Sequence, residues 1–520
     1  MNTHRIRIDR VLLTLAVLGA QLASAGLRAA DPGTDQLDAL RKQVEHLTEK
    51  VLLLEKQVAD EKGKVAVPPA ATVNVAPATP ADPRIDQLDQ KVRVFERKQE
   101  LDKEAAAERA KTTPVVTLGA SGLQVRSADS NFVFNLRGYV QADGRFGVGE
   151  SAGPYVDTFL MRRVRPILDG TLYKLADFRV MLDFGSGITS SSAAANSYSN
   201  DGFLQDAYVN LRFLPQLQLQ VGKMKEPVGL ERLQSGANLL FIERGYPTAL
   251  VPNRNVGAML QGDLFGQRLS YQAGVFNGIS DGGSTDFQGF DTGNVAGRLF
   301  TTPFRTSGLE PLEGLGLGIA GTFGDLNGTL RSYVSPGQQT IFSYLTGTGT
   351  NSNVVADGQQ WRFSPQGYWY WGPFGLFGEY VLSSQDVRQG GGGPTAGRAD
   401  TLVNRAWQVA GSWFLTGEKN AWKAVTPKEL LTLAGPGWGA LELAARVQGI
   451  DFDDDAFPVF ANPNRSATSA FSWGLGVNWH LNRNLKLSLD YEHTHFDGGT
   501  LNPVTAQDEQ VILTRLQFSF

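Results

Sequence analysis

The residues whose chemistry is easiest to interpret are arginines that recur on alternate positions of short amphipathic segments. Their neighbours in these segments are apolar, as Leu211 and Phe213 are beside Arg212. In a membrane-spanning strand the apolar side would meet lipid, where an arginine costs roughly 2–4 kcal/mol at mid-membrane. The alternation therefore predicts that these arginines face a polar lumen: Arg137, Arg145, Arg163, Arg165, Arg179, Arg212, Arg298, Arg362 and Arg446. Arg162 has the opposite phase and is expected near a membrane interface.

Cations that line a water-filled passage would raise the local concentration of anions. They would also replace part of the anions' hydration shell with charge-assisted hydrogen bonds. The same predicted faces carry carboxylates, which could pair with the arginines and leave a weakly selective pore: Asp143, Asp169, Asp183, Asp206, Asp263, Glu442, Asp490 and Glu492. The sequence is compatible with both interpretations.

The composition argues against several other classes of protein. The 520 residues contain 48 Lys and Arg against 52 Asp and Glu, a net charge of -4, which disfavours a general nucleic-acid binder. Because the sequence has no cysteine, it can hold neither a disulfide scaffold nor a thiolate metal site. It contains no GxxxxGK, HExxH or GxSxG motif, and we expect neither an enzyme nor a cofactor. His493 and His495 share a strand face without a third ligand nearby, and we interpret them as rim residues.

The elements that would position these side chains are β-strands. Beyond the N-terminus the sequence has no run of about 18 apolar residues, which excludes a bundle of transmembrane helices. From about residue 131 onward, these sixteen segments show a period of two: 131–145, 156–174, 177–185, 203–213, 216–225, 255–264, 267–276, 291–300, 314–324, 359–371, 374–384, 401–415, 438–451, 470–480, 484–495 and 508–520. Strands of about 10 residues suit an all-β protein that crosses a membrane as a 16-stranded antiparallel β-barrel.

The connections between the predicted strands alternate between short turns and longer loops, as in outer-membrane barrels. An even number of strands places both ends of the barrel on the side of the short turns. The connections 301–313 and 416–437 are too long for that side, and the strand pattern does not explain them. A soluble β-sandwich would show the same polar and apolar alternation. The export signal, the loop pattern and a C-terminal Phe520 after an amphipathic strand favour the barrel.

The N-terminal part of the sequence predicts an export signal followed by an extended arm that precedes the barrel domain. Residues 1–25 combine a basic start, a short apolar core and an Ala-Ser-Ala site, which predicts a cleaved signal peptide rather than a single membrane anchor. Heptad-spaced Leu and Val predict a coiled coil over 31–63, or alternatively a lone amphipathic helix packed on a domain. A Pro/Ala-rich linker over 64–84 and a second helical segment with a linker over 85–117 precede the barrel domain, 118–520. We expect the arm to lie in the periplasm.

Ten stretches of the barrel domain match, in order, pieces of one known family: 132–141, 159–173, 178–184, 206–211, 221–233, 241–244, 251–257, 273–278, 363–379 and 437–447. Examples are FVFNLRGYVQ at the first stretch and VGKMKEPVGLERL at the fifth. The family that they resemble is that of the phosphate-selective porins O and P of Gram-negative outer membranes. The resemblance implies a homotrimer of 16-stranded barrels in outer-membrane lipid. It also implies that the third long loop folds inward to narrow the pore and that basic side chains guide small anions, with phosphate as a candidate.

The resemblance also implies a group of basic residues around the third loop. Lys223 and Lys225 resemble the family's lysine-containing strand end, where a central anion-binding lysine is expected. Both follow Val221 in the lipid-facing phase, so either Gly222 marks a bulge that flips the register or both lysines lie above the apolar band. We expect Lys225 to reach the pore. The third loop, 226–254, adds Arg232, Arg244 and Arg254.

The fifth long loop departs from the family pattern. In the best-known phosphate-selective members this loop helps to build an arginine ladder, whereas residues 325–358 here contain only Arg331 and no lysine. The sequence therefore predicts an outer-membrane porin for passive diffusion of small anions, with phosphate or polyphosphate as candidates. The alternatives are a general, weakly selective porin and a structural tether from the outer membrane to the cell wall through the coiled-coil arm.

Overall fold

The computed structural model describes residues 83–149, 155–185, 203–285, 293–346, 353–390, 397–432 and 435–520. The signal peptide, the heptad segment and nearly all of the Pro/Ala-rich linker lie outside these residues. Helix α1 spans Pro83–Thr112 and begins at a proline, whose fixed φ suits the first position of a helix. Its described side chains are exposed. Within the described parts of the chain, no helix is long and apolar enough to cross a membrane.

Sixteen strands form the wall of the barrel domain. A hairpin of β1 (Val115–Gly119) and β2 (Gly122–Arg126) precedes them and pairs with the start of β3. The wall strands are β3 Phe132–Gly147, β4 Thr158–Leu172, β5 Ala176–Leu182, β6 Leu204–Leu214, β7 Leu217–Met224, β8 Asn255–Leu264, β9 Leu269–Asn277, β10 Gly293–Thr301, β11 Leu315–Thr329, β14 Val354–Trp371, β15 Phe374–Gln389, β16 Ala399–Phe414, β17 Ala440–Asp451, β18 Ala467–His480, β19 Leu485–Gly498 and β20 Glu509–Ser519. Two further short strands, β12 Tyr333–Val334 and β13 Thr340–Phe342, pair with each other in the connection between β11 and β14.

The sheet closes because β20 pairs with β3 as well as with β19. Val511 lies opposite Gly147 at one end of the β20–β3 pairing and Ser519 opposite Tyr139 at the other. Every neighbouring pair in the wall is antiparallel, so the prediction of a closed, 16-stranded antiparallel β-barrel is confirmed. The sequence prediction missed the β1–β2 hairpin. It also made β11 and β14 too short at their loop ends, because the two strands stay paired beyond the residues whose polar and apolar side chains clearly alternate.

The wall buries its polar face and exposes its apolar face. On β17, Glu442, Arg446 and Gln448 are buried inside the barrel, whereas Leu443 and Val447 face outward and are exposed. A soluble sandwich would do the opposite, because burial of apolar area is its main source of stability. The observed burial therefore supports a barrel whose outer face meets lipid.

A β-bulge in β4 changes the expected position of Arg162. The β3–β4 pairing shifts by one residue between Gln141 opposite Arg163 and Ala142 opposite Met161, so Arg162 is an extra residue in β4. The bulge turns Arg162 toward the lumen, where its Nε lies 2.7 Å from Oε1 of Glu243. The prediction that Arg162 lies near a membrane interface is therefore wrong, because strict alternation does not allow for an inserted residue.

The connections define two ends of the barrel. At the short-turn end the connections are 173–175, 215–216, 265–268, 302–314, 372–373, 415–439 and 481–484. At the long-loop end, loops 1 to 8 are in order 148–157, 183–203, 225–254, 278–292, 330–353, 390–398, 452–466 and 499–508. The start of β3 and the end of β20 both lie at the short-turn end, as an even number of strands requires.

We expect Gly138→Val to weaken the closure of the barrel. The backbones of Gly138 and Phe520 exchange two hydrogen bonds of 2.9 Å. A Cβ at Gly138 would lie 2.7 Å from the backbone oxygen of Arg165 and 3.0 Å from the Phe520 ring, so a branched side chain must displace this seam. Overpacking costs about 1–3 kcal/mol, and the denaturant midpoint for unfolding the purified barrel should fall.

Gly297→Val is the matched control for this measurement. Gly297 lies between the exposed residues Val295 and Leu299 on β10, and a Cβ there would meet only the Gln272 backbone oxygen, at 3.9 Å. Its unfolding midpoint should stay close to that of the unmodified protein. Equal midpoints for the two variants would contradict this account of closure.

Candidate functional site

Loop 3 lies inside the barrel. It contains a short helix α2, Leu230–Leu233, and a 3-10 helix, Tyr246–Leu250, and most of its side chains are buried. Inward-facing side chains of the wall donate hydrogen bonds to its carbonyl oxygens: Gln141 to Gly236 (2.9 Å), Arg446 to Glu243 (2.9 Å), Asn478 to Leu240 (2.8 Å), Lys486 to Leu239 (3.1 Å) and Arg515 to Ile242 (2.8 Å). Loop 3 is therefore held against β3 and β17 to β20.

The wall also provides acceptors for the N–H groups of loop 3. Glu379 accepts from Leu230 (2.5 Å), Asp490 from Ile242 (2.6 Å) and Gln448 from Tyr246 (2.8 Å). Buried backbone groups without a partner would cost free energy, so these contacts allow a loop without regular strands to lie in the lumen. Since Glu379 belongs to β15, loop 3 reaches across to this part of the wall as well.

The carboxylate of Glu243 connects loop 3 to a buried network of charges. Its Oε1 lies 2.5 Å from Arg145 and 2.7 Å from Arg162. Arg515 lies 3.9 Å from the same oxygen and pairs with Asp143 at 2.7 Å. Burial alone would raise the pKa of Glu243, but Arg162 and Arg145 hold it well below its usual value. Glu243 is therefore charged, and each member of the network depends on the others.

Most of the arginines predicted to face the lumen, and Arg254 of the third loop, have a carboxylate partner. The pairs are Arg137 with Asp169 (2.5 Å), Arg145 with Glu243 (2.5 Å), Arg165 with Asp183 (2.7 Å), Arg212 with Asp177 (3.0 Å), Arg254 with Asp206 (3.1 Å), Arg362 with Asp281 (2.8 Å) and Arg446 with Glu492. Arg163 lies 3.9 Å from Glu243 and donates a 2.8 Å hydrogen bond to Gln141. In these pairs, much of the positive charge is compensated by carboxylates of the wall and of the long loops.

Five predicted cations have no carboxylate within 4.0 Å among the residues that the structure describes: Lys225, Arg232 and Arg244 in loop 3, and Arg179 and Arg298 on the wall. All five side chains are partly exposed. The side chain of Arg179 makes no hydrogen bond to a described residue, and its Nε is buried. These cations therefore retain charge that the described wall does not balance.

The three loop 3 cations are held by neutral oxygens. Lys225 Nζ donates to the carbonyl oxygens of Gln234 (2.8 Å) and Leu233 (3.3 Å). Arg244 donates to the carbonyl oxygens of Glu231 (3.2 Å) and Gln234 (2.9 Å). Arg232 donates to the side chain of Asn253 (3.2 Å) and to the carbonyl oxygen of Thr248. Neutral acceptors orient these cations without cancelling their charge.

Mutual repulsion makes this group of cations responsive to an anion. Burial lowers the pKa of Lys225, and the nearby Arg254 and Arg244 lower it further. Burial also lowers the pKa of Arg232, as do Arg244 and Arg254. A negatively charged solute placed among these groups would favour their charged forms. We call Lys225, Arg232 and Arg244 the loop 3 cations.

The two lysines at the end of β7 have different surroundings. The pairing of β7 with β6 and β8 continues through Gly222 and Lys223 without a shift, although Gly222 has a φ of 128°. Met224 packs against Met259 on the inner side of β8. Lys223 is buried within the paired part of β7, whereas Lys225 follows the end of the strand and turns into loop 3.

Loops 5 and 7 fill another part of the lumen with apolar side chains. Phe342 of loop 5 stacks on Phe452 of loop 7 at 4.3 Å, and Tyr333 lies 5.1 Å from Phe452. Their buried cluster includes Leu250 and Val251 of loop 3 and inward-facing residues of β14 to β19. The partly exposed cations lie in loop 3 and on β5 and β10.

The long connection 415–439 at the short-turn end also turns inward. Gln234 of loop 3 donates a 3.0 Å hydrogen bond to the carbonyl oxygen of Trp422. The Trp422 ring stacks on Tyr368 of β14 at 5.6 Å and packs near Phe377 of β15. The extra length of this connection, which the strand pattern did not explain, places an aromatic side chain against loop 3.

Sequence reasoning missed several residues that hold loop 3. Arg515 and Lys486 carry the same alternation signal as the predicted arginines, so an inward position could have been derived for both. Glu243 lies in a loop without periodicity, and no sequence signal pairs it with Arg145 or Arg162. The bulge that brings Arg162 to this carboxylate likewise has no sequence signature, because it depends on the β3–β4 register.

Glu243→Gln should loosen loop 3. The substitution leaves Arg145 and Arg162 buried beside a neutral side chain, and removal of one partner of a buried ion pair costs about 3–5 kcal/mol. We expect a lower midpoint in denaturant and faster limited proteolysis within loop 3. Glu429→Gln, which alters an exposed carboxylate in connection 415–439, should change neither. An unchanged proteolysis rate for Glu243→Gln would contradict the anchoring role.

Comparisons with known proteins bear on the identity of this barrel. A family model described as phosphate-selective porin O and P matches residues 134–520. Porin O of Pseudomonas aeruginosa is 25% identical over 434 residues, which cover 78% of this chain and 92% of that protein. Among solved structures, the outer membrane channel DcaP of Acinetobacter baumannii gives a TM-score of 0.46 at 12% identity, covering 76% of this chain and 99% of that one. The anion-selective porin from Comamonas acidovorans gives a TM-score of 0.43 at 11% identity, covering 75% of this chain and 100% of that one. Because the family match spans most of the chain, this protein belongs to the phosphate-selective porin O and P family and is an outer-membrane porin.

Proposed function

We propose that this porin lets small anions diffuse passively across the outer membrane, through a pore that loop 3 narrows. The observation that carries the proposal is the presence of the loop 3 cations, which are partly exposed and have no carboxylate partner among the described residues. In the outer membrane, the long-loop end faces outside and the short-turn end faces the periplasm. An anion would therefore meet the loop 3 cations on its way inward.

The division of charge within the lumen supports anion preference over weak selectivity. Arg145, Arg162 and Arg515 are compensated by carboxylates and hold loop 3 in place. The loop 3 cations are oriented by carbonyl and amide oxygens, so their field acts on the solution in the pore. Charge-assisted hydrogen bonds from these groups would replace part of the hydration shell of an anion.

Phosphate is the first solute to test, although loop 5 offers little for specific phosphate binding. Arg331 is the one cation in residues 325–358 of the sequence. Anion selectivity in this chain therefore depends on loop 3 and its surroundings rather than on an arginine ladder from loop 5. We infer general passage of small anions, with phosphate binding at Lys225, Arg232 and Arg244.

Lys225→Gln should lower anion selectivity. If one charge in the pore contributes about 1 kcal/mol to the free-energy difference between an anion and a cation there, its loss lowers the anion-to-cation permeability ratio about fivefold. The ratio is obtained from the reversal potential of a planar bilayer with the reconstituted porin in a potassium chloride gradient. Phosphate should reduce the chloride current of the unmodified protein, and this block should be weaker in Lys225→Gln. Arg232→Gln and Arg244→Gln should act in the same direction.

Lys174→Gln is the matched control, because Lys174 is an exposed cation in the short turn 173–175. Its reversal potential should equal that of the unmodified protein. Cation preference in the unmodified porin would overturn the anion proposal. Anion preference without phosphate block would leave a general anion pore and remove phosphate binding from the proposal.

We also propose a homotrimer, whose subunits meet through the outer face of β3 to β5. All nine tryptophans of the sequence lie between Trp361 and Trp479, and those that face outward belong to β14, β16 and β18. Tryptophan is enriched where a barrel meets the membrane–water interfaces. The outer faces of β3 to β11 carry no tryptophan, and those of β3 to β5 expose large apolar residues, including Phe159 and Met161. The absence of tryptophan favours protein rather than lipid on this side of the wall, and we place the contact at its first strands, β3 to β5.

A double variant, Phe159→Ala with Met161→Ala, should weaken the trimer. Both side chains are exposed on the single chain, at 64% and 43%, and would lose buried apolar area at the proposed interface. The temperature at which trimers dissociate in mild detergent should fall. Phe471→Ala with Leu475→Ala on β18 is the control, and its trimers should dissociate at the original temperature. Equal effects of the two double variants would overturn the proposed interface.

A further inference from the structure

We propose that the wall near the short-turn end holds a second solute site, which binds small polyols that carry one anionic group. The inference rests on the porin function proposed above, and it concerns a different part of the lumen from loop 3. The site is formed by five inward-facing residues, which lie side by side on adjacent strands: Arg212 on β6, Gln218 on β7, Gln261 on β8, Gln272 on β9 and Arg298 on β10. We call these residues the amide row.

Hydrogen bonds fix the amides of the row relative to one another. Gln272 donates to Gln261 (3.3 Å), and Gln261 donates to Gln220 (2.9 Å). Gln261 also donates to Asn210 (3.2 Å), which donates to Gln218 (2.9 Å). The three glutamines of the row are only partly buried, so part of each side chain remains accessible from the lumen.

Arg298 places an available guanidinium at one end of the row. Its Nε donates to Gln366 at 3.1 Å, and the guanidinium carbon lies 4.4 Å from the centre of the Phe300 ring. Its two terminal nitrogens make no hydrogen bond to any residue in the described part of the chain. These contacts orient the planar group and leave two parallel donors, an arrangement that suits a phosphate or carboxylate.

The chemistry of the amides indicates what the rest of the ligand must be. Chloride only accepts hydrogen bonds, and inorganic phosphate, which keeps one or two P–OH groups near neutral pH, is too small to offer donors along the whole row, so the carbonyl oxygens of Gln261 and Gln272 disfavour a purely inorganic ligand. A hydroxyl group both donates and accepts, and it can match either end of an amide. A ligand that occupies the whole row therefore combines one anionic group, at Arg298, with hydroxyl groups along the glutamines. Phosphate esters of polyols have this combination, as do carboxylated polyols.

A purely structural role for the row makes a different prediction. If the amides only satisfied one another, their replacement by leucine would change the stability of the barrel without distinguishing between solutes. The partial exposure of Gln218, Gln261 and Gln272 argues against this role. So does the position of Arg298 beside them without a carboxylate partner among the described residues.

Block of chloride current by three solutes tests the inference. The full mature porin is reconstituted in planar bilayers, and inorganic phosphate, glycerol 3-phosphate or glycerate is added on either side. Glycerol 3-phosphate should block at a lower concentration than inorganic phosphate, and glycerate shows whether a carboxylate can replace the ester. Arg298→Gln should raise the blocking concentration of glycerol 3-phosphate about tenfold, which corresponds to one charge-assisted hydrogen bond.

The glutamine variants separate this site from loop 3. Gln261→Leu and Gln272→Leu should each raise the blocking concentration of glycerol 3-phosphate about threefold, the effect of a neutral hydrogen bond, and leave block by inorganic phosphate unchanged. Gln385→Leu is the control, because Gln385 is a buried amide on β15 and does not belong to the row. It should change the blocking concentration of neither glycerol 3-phosphate nor inorganic phosphate. Heat-modifiable mobility of each variant in gels shows that its barrel is folded.

Three results would overturn the inference. The first is block by glycerol 3-phosphate that is no stronger than block by inorganic phosphate in the unmodified porin. The second is an equal loss of both blocks in the glutamine variants, which would indicate a general structural effect. The third is cation preference without block by any of the solutes, which would reject the anion-porin proposal together with this inference. Block by inorganic phosphate alone rejects the second site and retains the first.

Discussion

The structure depends on one constraint, which is that charged side chains cannot lie on the outer face of a membrane-spanning wall. An arginine there costs roughly 2–4 kcal/mol, so the chain collects its charges on the inner face. The lumen then contains many cations and carboxylates within a small volume. Each of these groups must interact with an opposite charge, a neutral dipole or water. Pairs such as Arg145 with Glu243 and Arg515 with Asp143 are consequences of this crowding.

The same constraint explains why a loop without regular strands can remain inside the barrel. A loop brings carbonyl and N–H groups that need partners, and the crowded wall has donors and acceptors to supply. Arg515 and Asp490 both bind the backbone at Ile242, one as a donor and the other as an acceptor. Loop 3 in turn supplies Glu243, which balances the guanidiniums of the wall. The wall therefore satisfies the backbone groups of loop 3, and loop 3 balances part of the charge of the wall. The loop 3 cations need no carboxylate partner, because carbonyl oxygens already orient them.

The amino-acid sequence was sufficient for the architecture because the strand signal is repeated sixteen times. Alternation identified the strands and the inward phase of residues such as Arg446, and an even strand number follows from where the connections lie. The pairing of individual charges could not be predicted, since it depends on the stagger between strands and on the path of loop 3. Arg162 illustrates the limit, because one inserted residue in β4 reverses its side. Lys225 is a second example: its phase in β7 is not informative, as the strand has already ended at Met224.

Passage through a pore requires that binding be favourable but reversible, and the carboxylates near the loop 3 cations contribute to this balance. Asp206 pairs with Arg254, and Asp183 pairs with Arg165, so negative charge lies within the same region as Lys225 and Arg244. Without these carboxylates, an anion would meet a deeper energy minimum and leave more slowly. With them, the cations still outnumber the acids, so under the proposed function entry of an anion would stay favourable while its release would be faster. We therefore expect selectivity in this lumen to depend on the difference between paired and unpaired charge rather than on the number of arginines.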